Sequence, residues 1–203
     1  MEYAAYQLTD TETKLLDLAK RAAEDSPDRS RKVGAVLLNA QGEILSAACN
    51  TLPAGVEHSD EYLSRPAKYD WTEHAERNAI FQAAREGKAT DGCTMVLPWF
   101  PCGPCARAIV QSGVKRVIAQ YPDVDDPSWG ADFKFGLALF KKAGIDFQAY
   151  VADEPAPQAR AEGDIAPRVE DRGRPSVREL VAEWNAAPPS PAGPVVPGRK
   201  ARP

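Results

Sequence analysis

Two short segments concentrate the residue types that do chemistry: His74-Ala75-Glu76 and Pro101-Cys102-Gly103-Pro104-Cys105. Cys102 and Cys105 are three positions apart. At a helix start that spacing puts both sulfurs on one face, within reach of one ion. Pro101 suits a helix entry, where no internal hydrogen bond is lost. The free N–H groups and partial positive charge of a helix start favour thiolates over thiols. His74 is one of two histidines in the chain. Adding it gives a Cys₂His set, soft and borderline ligands suited to Zn²⁺. Three protein ligands leave one tetrahedral position open for water, the mark of a catalytic site. Two thiolates weaken zinc as a Lewis acid by cancelling its charge, and the two helix N-termini that present the ligands oppose that effect.

Glu76 lies two residues after His74, so on a helix it cannot share the histidine's direction. It is placed to flank the metal rather than bind it. There it would take a proton from the water at the metal and pass it on to the reacting group. Two other readings of these residues stand beside this one. The first is a structural zinc site completed by Cys49 or Cys93, although such sites usually carry a second close ligand pair and the chain has none. The second is a redox-active C-x-x-C, which gives His-Ala-Glu no purpose. Cys49 and Cys93 read as core thiols, and His58, in a polar loop, as an exposed side chain.

The elements that must position these residues follow from local pattern. Thr9 and Glu12 have capping-box spacing, and Leu15, Leu16, Ala19, Ala22 and Ala23 continue as a helical apolar stripe. Val33 to Leu38 and Ile44 to Ala48 flank the turn Asn39-Ala40-Gln41-Gly42, which reads as a β-hairpin. Residues 49–70, broken by Pro53, Gly55 and Pro66, read as loop. Then come a helix from Glu73 to Glu86, a strand from Thr94 to Leu97, a helix from Cys102 to Gln111 and a strand from Arg116 to Gln120. A helix from Asp132 to Lys142, closed by Gly144, and a strand from Phe147 to Val151 complete the order. Such alternation implies an α/β fold whose sheet is largely parallel, with helices on both faces.

Composition sets the remaining bounds. The chain has 203 residues, of which 43% are hydrophobic, enough for one packed domain and an appendage. A formal net charge of −4 argues against a protein that grips long nucleic acid by its phosphates. No apolar run approaches the roughly 20 residues of a membrane span, and the N-terminus lacks the basic start and apolar core of a signal peptide, so a cytoplasmic setting is expected. After about residue 152 Pro, Ala, Arg and Glu dominate. The boundaries read as a zinc-dependent domain over residues 1–152 and an extension over 153–203. Within the extension Ser176 and Glu179 again have capping-box spacing, and Val177, Leu180, Val181 and Trp184 form a stripe. That predicts a short amphipathic helix near 176–186, docked on the domain or on a partner subunit. Residues 186–203 are Pro-rich and read as mobile.

The pairing H-x-E with P-C-x-x-C is the known signature of the zinc deaminases. Over about residues 8–152 the chain resembles the cytidine and deoxycytidylate deaminase superfamily, nearest its deoxycytidylate (dCMP) branch. The resemblance rests on Lys32-Val33-Gly34-Ala35-Val36, Asn50 with Pro53 and Gly55, Lys68-Tyr69, His74-Ala75-Glu76-Arg77-Asn78-Ala79-Ile80, Phe100 to Ala106 and Gln111 to Val117. It implies a three-layer α/β/α sandwich with a mixed five-stranded sheet. It implies Zn²⁺ on His74, Cys102 and Cys105, with Glu76 as proton shuttle. It further implies a small-molecule nucleotide or nucleobase substrate, dCMP converted to dUMP foremost, and a homo-oligomer. Asn50, Thr51, Trp99 and Pro101 are the candidate substrate contacts, with Asn50 toward the sugar or phosphate. Thr51 stands where the dCMP branch has glycine, which lets backbone N–H groups come close to a phosphate. Trp99 is suited either to base stacking or to core packing. Another aminated nucleoside, free base or heterocycle is the alternative substrate class, and a non-catalytic zinc-stabilised assembly protein the alternative function.

Overall fold

The structure, a computed structural model, describes residues 5–151 and 174–186. The element order is α1 (Asp10–Glu24), β1 (Gly34–Leu38), β2 (Ile44–Cys49), α2 (Asp60–Leu63), α3 (Lys68–Trp71), α4 (Ala75–Arg85), β3 (Thr94–Val96), α5 (Gly103–Gln111), β4 (Arg116–Gln120), α6 (Gly130–Ala143), β5 (Asp146–Tyr150) and α7 (Val177–Ala186). The five strands form one sheet in the order β2-β1-β3-β4-β5. β3, β4 and β5 run parallel, whereas β1 is antiparallel to both β2 and β3. The expected largely parallel sheet is therefore only half parallel. Alternation describes the second half of the chain, but the opening hairpin inserts β1 reversed beside β3. The mixed sheet and the three layers implied by the resemblance are what form.

Each central strand is buried on both faces. Val36, Leu38, Val96 and Ile118 pack with Leu15, Leu16 and Ala19 of α1. Leu37, Met95, Val117 and Ala119 face Ala75, Ala79 and Ala83 of α4 and Ile109 of α5. The i, i+4, i+8 alanines on α4 let that helix lie close to the sheet, and Ser46 donates to the carbonyl of Ala79 at 2.8 Å. On the opposite face α1 approaches closer still. A Cβ on Gly34 would fall 1.9 Å from the Ala19 carbonyl oxygen, so only glycine fits there. The Thr9–Glu12 capping box forms as the spacing predicts, and Gly144 closes α6 at φ 70°. Residues 49–70 hold two four-residue helices rather than loop alone; Ser59 caps α2, but no apolar periodicity marked either one. No helix among the described residues is long and apolar enough to cross a membrane.

The amphipathic helix of the extension forms as α7 and docks on its own domain. Val177, Leu180, Val181 and Trp184 pack beside α1 and β2. β2 is an edge strand, and an open edge exposes unpaired N–H and C=O groups. Asn185 satisfies that edge as a strand would: the Ile44 N–H donates to its Oδ1 at 2.8 Å, and its Nδ2 donates to the Ile44 carbonyl at 2.9 Å. Trp184 Nε1 donates to the Gly42 carbonyl at 2.9 Å. The rest of the extension, residues 152–173 and everything after 186, lies outside the described residues, including the Pro-rich stretch. With two hydrogen bonds at about 0.5–1.5 kcal/mol each, Asn185→Ala should lower the urea unfolding free energy by about 1–3 kcal/mol. An unchanged midpoint would show that α7 does not stabilise the β2 edge.

Candidate active site

β1 runs against β3, so the start of β1, the end of β2 and the end of β3 share one end of the sheet. The N-termini of α4 and α5 are presented at that same end. His74 is the N-cap of α4 and Cys102 the N-cap of α5, both with extended backbone, φ −75° and −67°. The helices thus begin one or two residues later than the sequence pattern suggested. N-cap side chains commonly accept hydrogen bonds from their own helix, but these two make no such bond and turn toward each other instead. Asp132 of α6 supplies the missing cap, accepting from the Gly103 N–H at 3.1 Å. Glu73 accepts from the His74 N–H at 2.9 Å and pairs with Arg77 at 2.5 Å.

His74 Nδ1 lies 3.5 Å from Cys102 Sγ and 3.4 Å from Cys105 Sγ. Zinc–sulfur and zinc–nitrogen bonds of about 2.3 and 2.0–2.1 Å in a tetrahedron separate N from S by about 3.6 Å. The three donors therefore fit one zinc ion. Among the described residues they are the only His, Cys and acidic groups so clustered, and Glu76, Cys49 and Cys93 stand outside the set. The thiols differ in the same sense. Burial pushes Cys49 and Cys93 up to about 11, where they stay protonated. The contacts with Cys105 and, against burial, with His74 draw Cys102 down to about 4. The same contact with Cys102 pushes Cys105 upward. Hydrogen bonding to Cys102 raises His74 despite its burial.

Glu76 occupies the first turn of α4 and is 6% exposed. Burial raises its pKa, the nearby His74 opposes that, and the negative sulfur of Cys102 adds to it. A carboxyl held this way can exchange protons nearer neutral pH than an ordinary glutamate. Pro101 is fully buried, and Phe100 packs against Phe133, Phe140 and Phe147, anchoring the loop that delivers Cys102.

The remaining candidates make the following contacts within the protein. Asn50 is buried and its amide is engaged within the protein: Oδ1 accepts from the Val33 N–H at 2.8 Å and Nδ2 donates to the Arg31 carbonyl at 3.0 Å. It positions the segment entering β1 instead of pointing free groups at a substrate. The Thr51 N–H donates to the Glu73 carbonyl at 3.1 Å, and the two residues form an isolated bridge. Thr51 Oγ1 sits 3.5 Å from Nε2 of the exposed His58. Trp99 is half-buried, and the Arg31 guanidinium carbon lies 5.6 Å from its ring centroid. Cys93 is buried, while Cys49 is only half-buried at the end of β2.

Sequence reasoning missed Arg31, Asp28 and Asp132, each of which meets a partner distant in the chain: Trp99, Lys68 and Gly103. Lys68 stood out through the resemblance alone. Its ammonium donates to both Asp28 oxygens at 3.0 and 2.7 Å and to Ser30 Oγ. Burial opposes ionisation of Asp28, but the Lys68 bond and the N–H groups of Ser30 and Arg31 hold its pKa below the usual carboxylate range. Both side chains are under one-tenth exposed. Lys68→Met would leave that carboxylate buried and unpaired, at a cost of about 3–5 kcal/mol, readable in urea at pH 7. The folded-state pKa is the lower one, so the pair's contribution is complete above about pH 4 and is lost as pH falls through the folded value. The variant should show a shallower acid decline; a wild-type midpoint and acid limb would refute this.

A family model described as the cytidine and deoxycytidylate deaminase zinc-binding region matches residues 9–121. The chain belongs to that deaminase family. An uncharacterized deaminase from the luxG 3′ region of Aliivibrio fischeri is 34% identical over 134 residues, spanning 66% of this chain and 88% of its own length. Human deoxycytidylate deaminase is 31% identical over 141 residues, 64% of this chain and 74% of its own. The apo dCMP deaminase of cyanophage S-TIM5 shares the fold, with a TM-score of 0.55 at 23% identity over 70% of this chain and 98% of its own. The protein is thus a zinc-dependent hydrolytic deaminase, and the donor set just described, which could hold a metal ion, lies within the matched zinc-binding region.

Proposed function

We propose that this deaminase converts dCMP to dUMP, with His74, Cys102 and Cys105 as zinc ligands and Glu76 as proton shuttle. The observation that carries the reading is a buried carboxyl of raised pKa beside a three-donor set whose spacing fits one zinc ion. The 31% identity to human deoxycytidylate deaminase supports the substrate. Zinc bound there supplies Lewis acidity, which in favourable sites lowers the pKa of water from 15.7 to about 7. Glu76 takes a proton from the attacking water and delivers it to the ring nitrogen next to the carbon under attack. Oxygen adds to that carbon, the amino nitrogen receives a proton through Glu76, and the C–N bond breaks to release ammonia. One water is consumed, and a carbonyl replaces the amine. Pro101 and the packed Phe100 keep the Cys102 loop fixed while this happens.

One observation favours a second reading, a nucleoside or free base: the Thr51 N–H is committed to Glu73. Ammonia release from dCMP, deoxycytidine and cytosine by the zinc-loaded protein separates the two. Turnover should be highest on dCMP. Fast turnover of the nucleoside or base with none of dCMP would sink the nucleotide reading.

We also infer a cytoplasmic homo-oligomer whose catalytic unit is residues 1–152. Four free thiols suit a reducing compartment. Large apolar side chains stand exposed at Tyr69, Trp71, Phe81 and Phe135. Light scattering should give a mass of at least twice 22.0 kDa.

A further inference from the structure

We propose that Arg31 is the anion anchor of this site, the residue that makes it select a phosphate monoester over the matching nucleoside. The inference rests on the nucleotide reading above and supplies an anion contact at a site where the Thr51 N–H is engaged by Glu73. Arg31 precedes β1, and Trp99 follows β3. Because β1 and β3 are antiparallel, both lie at the end of the sheet that presents His74 and Cys102.

Three contacts fix Arg31 before any ligand arrives. Its N–H donates to Asp28 Oδ1 at 3.1 Å, its carbonyl accepts from Asn50 Nδ2 at 3.0 Å, and its guanidinium lies over Trp99 at 5.6 Å. What it lacks is an anion. The other cations of this end are paired: Lys68 with Asp28, Arg29 with Asp60 and Arg77 with Glu73. Among the described residues no carboxylate pairs with Arg31, and its Nε is buried without a hydrogen-bond partner. A desolvated guanidinium N–H that goes unbonded is costly. It is tolerated where a ligand completes it, and the planar fork of arginine matches the oxygens of a phosphate. Asp28, three residues away in the chain, is already held by Lys68, Ser30 and the Arg31 N–H, so it does not compete for the guanidinium. Trp99 therefore acts as the support of the cation, not as a stacking surface for the base. Asn50 and Asp28 are positioning residues.

Calorimetry on the zinc-loaded protein with dUMP and deoxyuridine reads the phosphate contribution without turnover. Wild type should bind dUMP the more tightly, and Arg31→Gln should shrink the ratio of the two affinities on the order of 10²-fold. Inorganic phosphate should compete with dUMP in wild type and not in the variant. If wild type prefers dUMP and the variant keeps that preference, Arg31 is not the anchor, while the nucleotide reading stands. If wild type binds both equally, the anchor and the nucleotide reading both fail. If the variant loses both ligands equally with zinc content and circular dichroism intact, the role is structural and the inference is overturned. Should Arg31→Gln not fold, Arg31→Lys, which keeps the charge but not the fork, should shrink the ratio about tenfold, and a wild-type ratio would overturn the inference.

Discussion

Glu76→Gln is expected to abolish deamination while leaving the metal site filled. The substitution keeps the shape of the side chain and removes its ability to carry a proton. A positioned acid or base contributes about 10²–10⁴-fold to a proton-transfer step, and this reaction asks Glu76 to move protons more than once: from water, to the ring and to the departing amine. The loss in kcat should therefore reach 10⁴-fold, about 5.4 kcal/mol at 1.36 kcal/mol per tenfold. Stability should not follow activity down. Glu76 is 6% exposed, and burial is the first cause of its raised pKa. A neutral amide in its place avoids the cost of a buried charge, so the unfolding midpoint should hold or rise. Zinc content by mass spectrometry should stay at one per chain, since the carboxylate is outside the donor set. Activity within tenfold of wild type at full zinc occupancy would remove Glu76 from the mechanism. Lost zinc would instead make it a ligand.

The parts of this site that were legible in the sequence are those whose geometry is local. Cys102 and Cys105 share a helix turn, so their spacing states their relation, and His74 is one of two histidines available to complete the set. The Thr9–Glu12 box and the Val177–Trp184 stripe are likewise readable within a few residues, and both form. The direction of β1 was not readable. A strand buried on both faces has the same composition whether its neighbour is parallel or antiparallel, and the hairpin alone does not say on which side β3 will pair. The same limit hid Asp132, which caps α5 from 29 residues away, and Arg31, which meets Trp99 only because β1 is reversed beside β3. Asn50 carries the opposite lesson. The resemblance offers it as a substrate contact, and its buried amide is engaged by Val33 and Arg31. With Arg31 as the proposed anchor, an effect of Asn50 on substrate would run through the segment that presents Arg31.

Cys105→Ser should empty the metal site, whereas Cys93→Ser should not, and the contrast separates a catalytic zinc from a structural one. Both thiols are buried, so the two substitutions disturb the core to a similar degree. Cys93 stands before β3, at the opposite end of that strand from Cys102, with its sulfur 3.7 Å from the Ala89 carbonyl and burial holding it as a thiol. Cys105 faces His74 Nδ1 at 3.4 Å. A serine hydroxyl in its place is a harder donor that stays protonated at neutral pH, which suits zinc poorly. Ligand binding to the folded state stabilises by RT ln(1 + [L]/Kd), about 2.7 kcal/mol at a hundredfold excess over Kd. Wild type and Cys93→Ser should both gain that much when zinc is restored to chelated protein. Cys105→Ser should gain close to nothing and release no ammonia from any substrate. A Cys105→Ser protein that still takes up one zinc with wild-type affinity would contradict the ligand assignment. Loss of zinc from Cys93→Ser would bring back the four-ligand structural site, in which no position is left open for water to be activated.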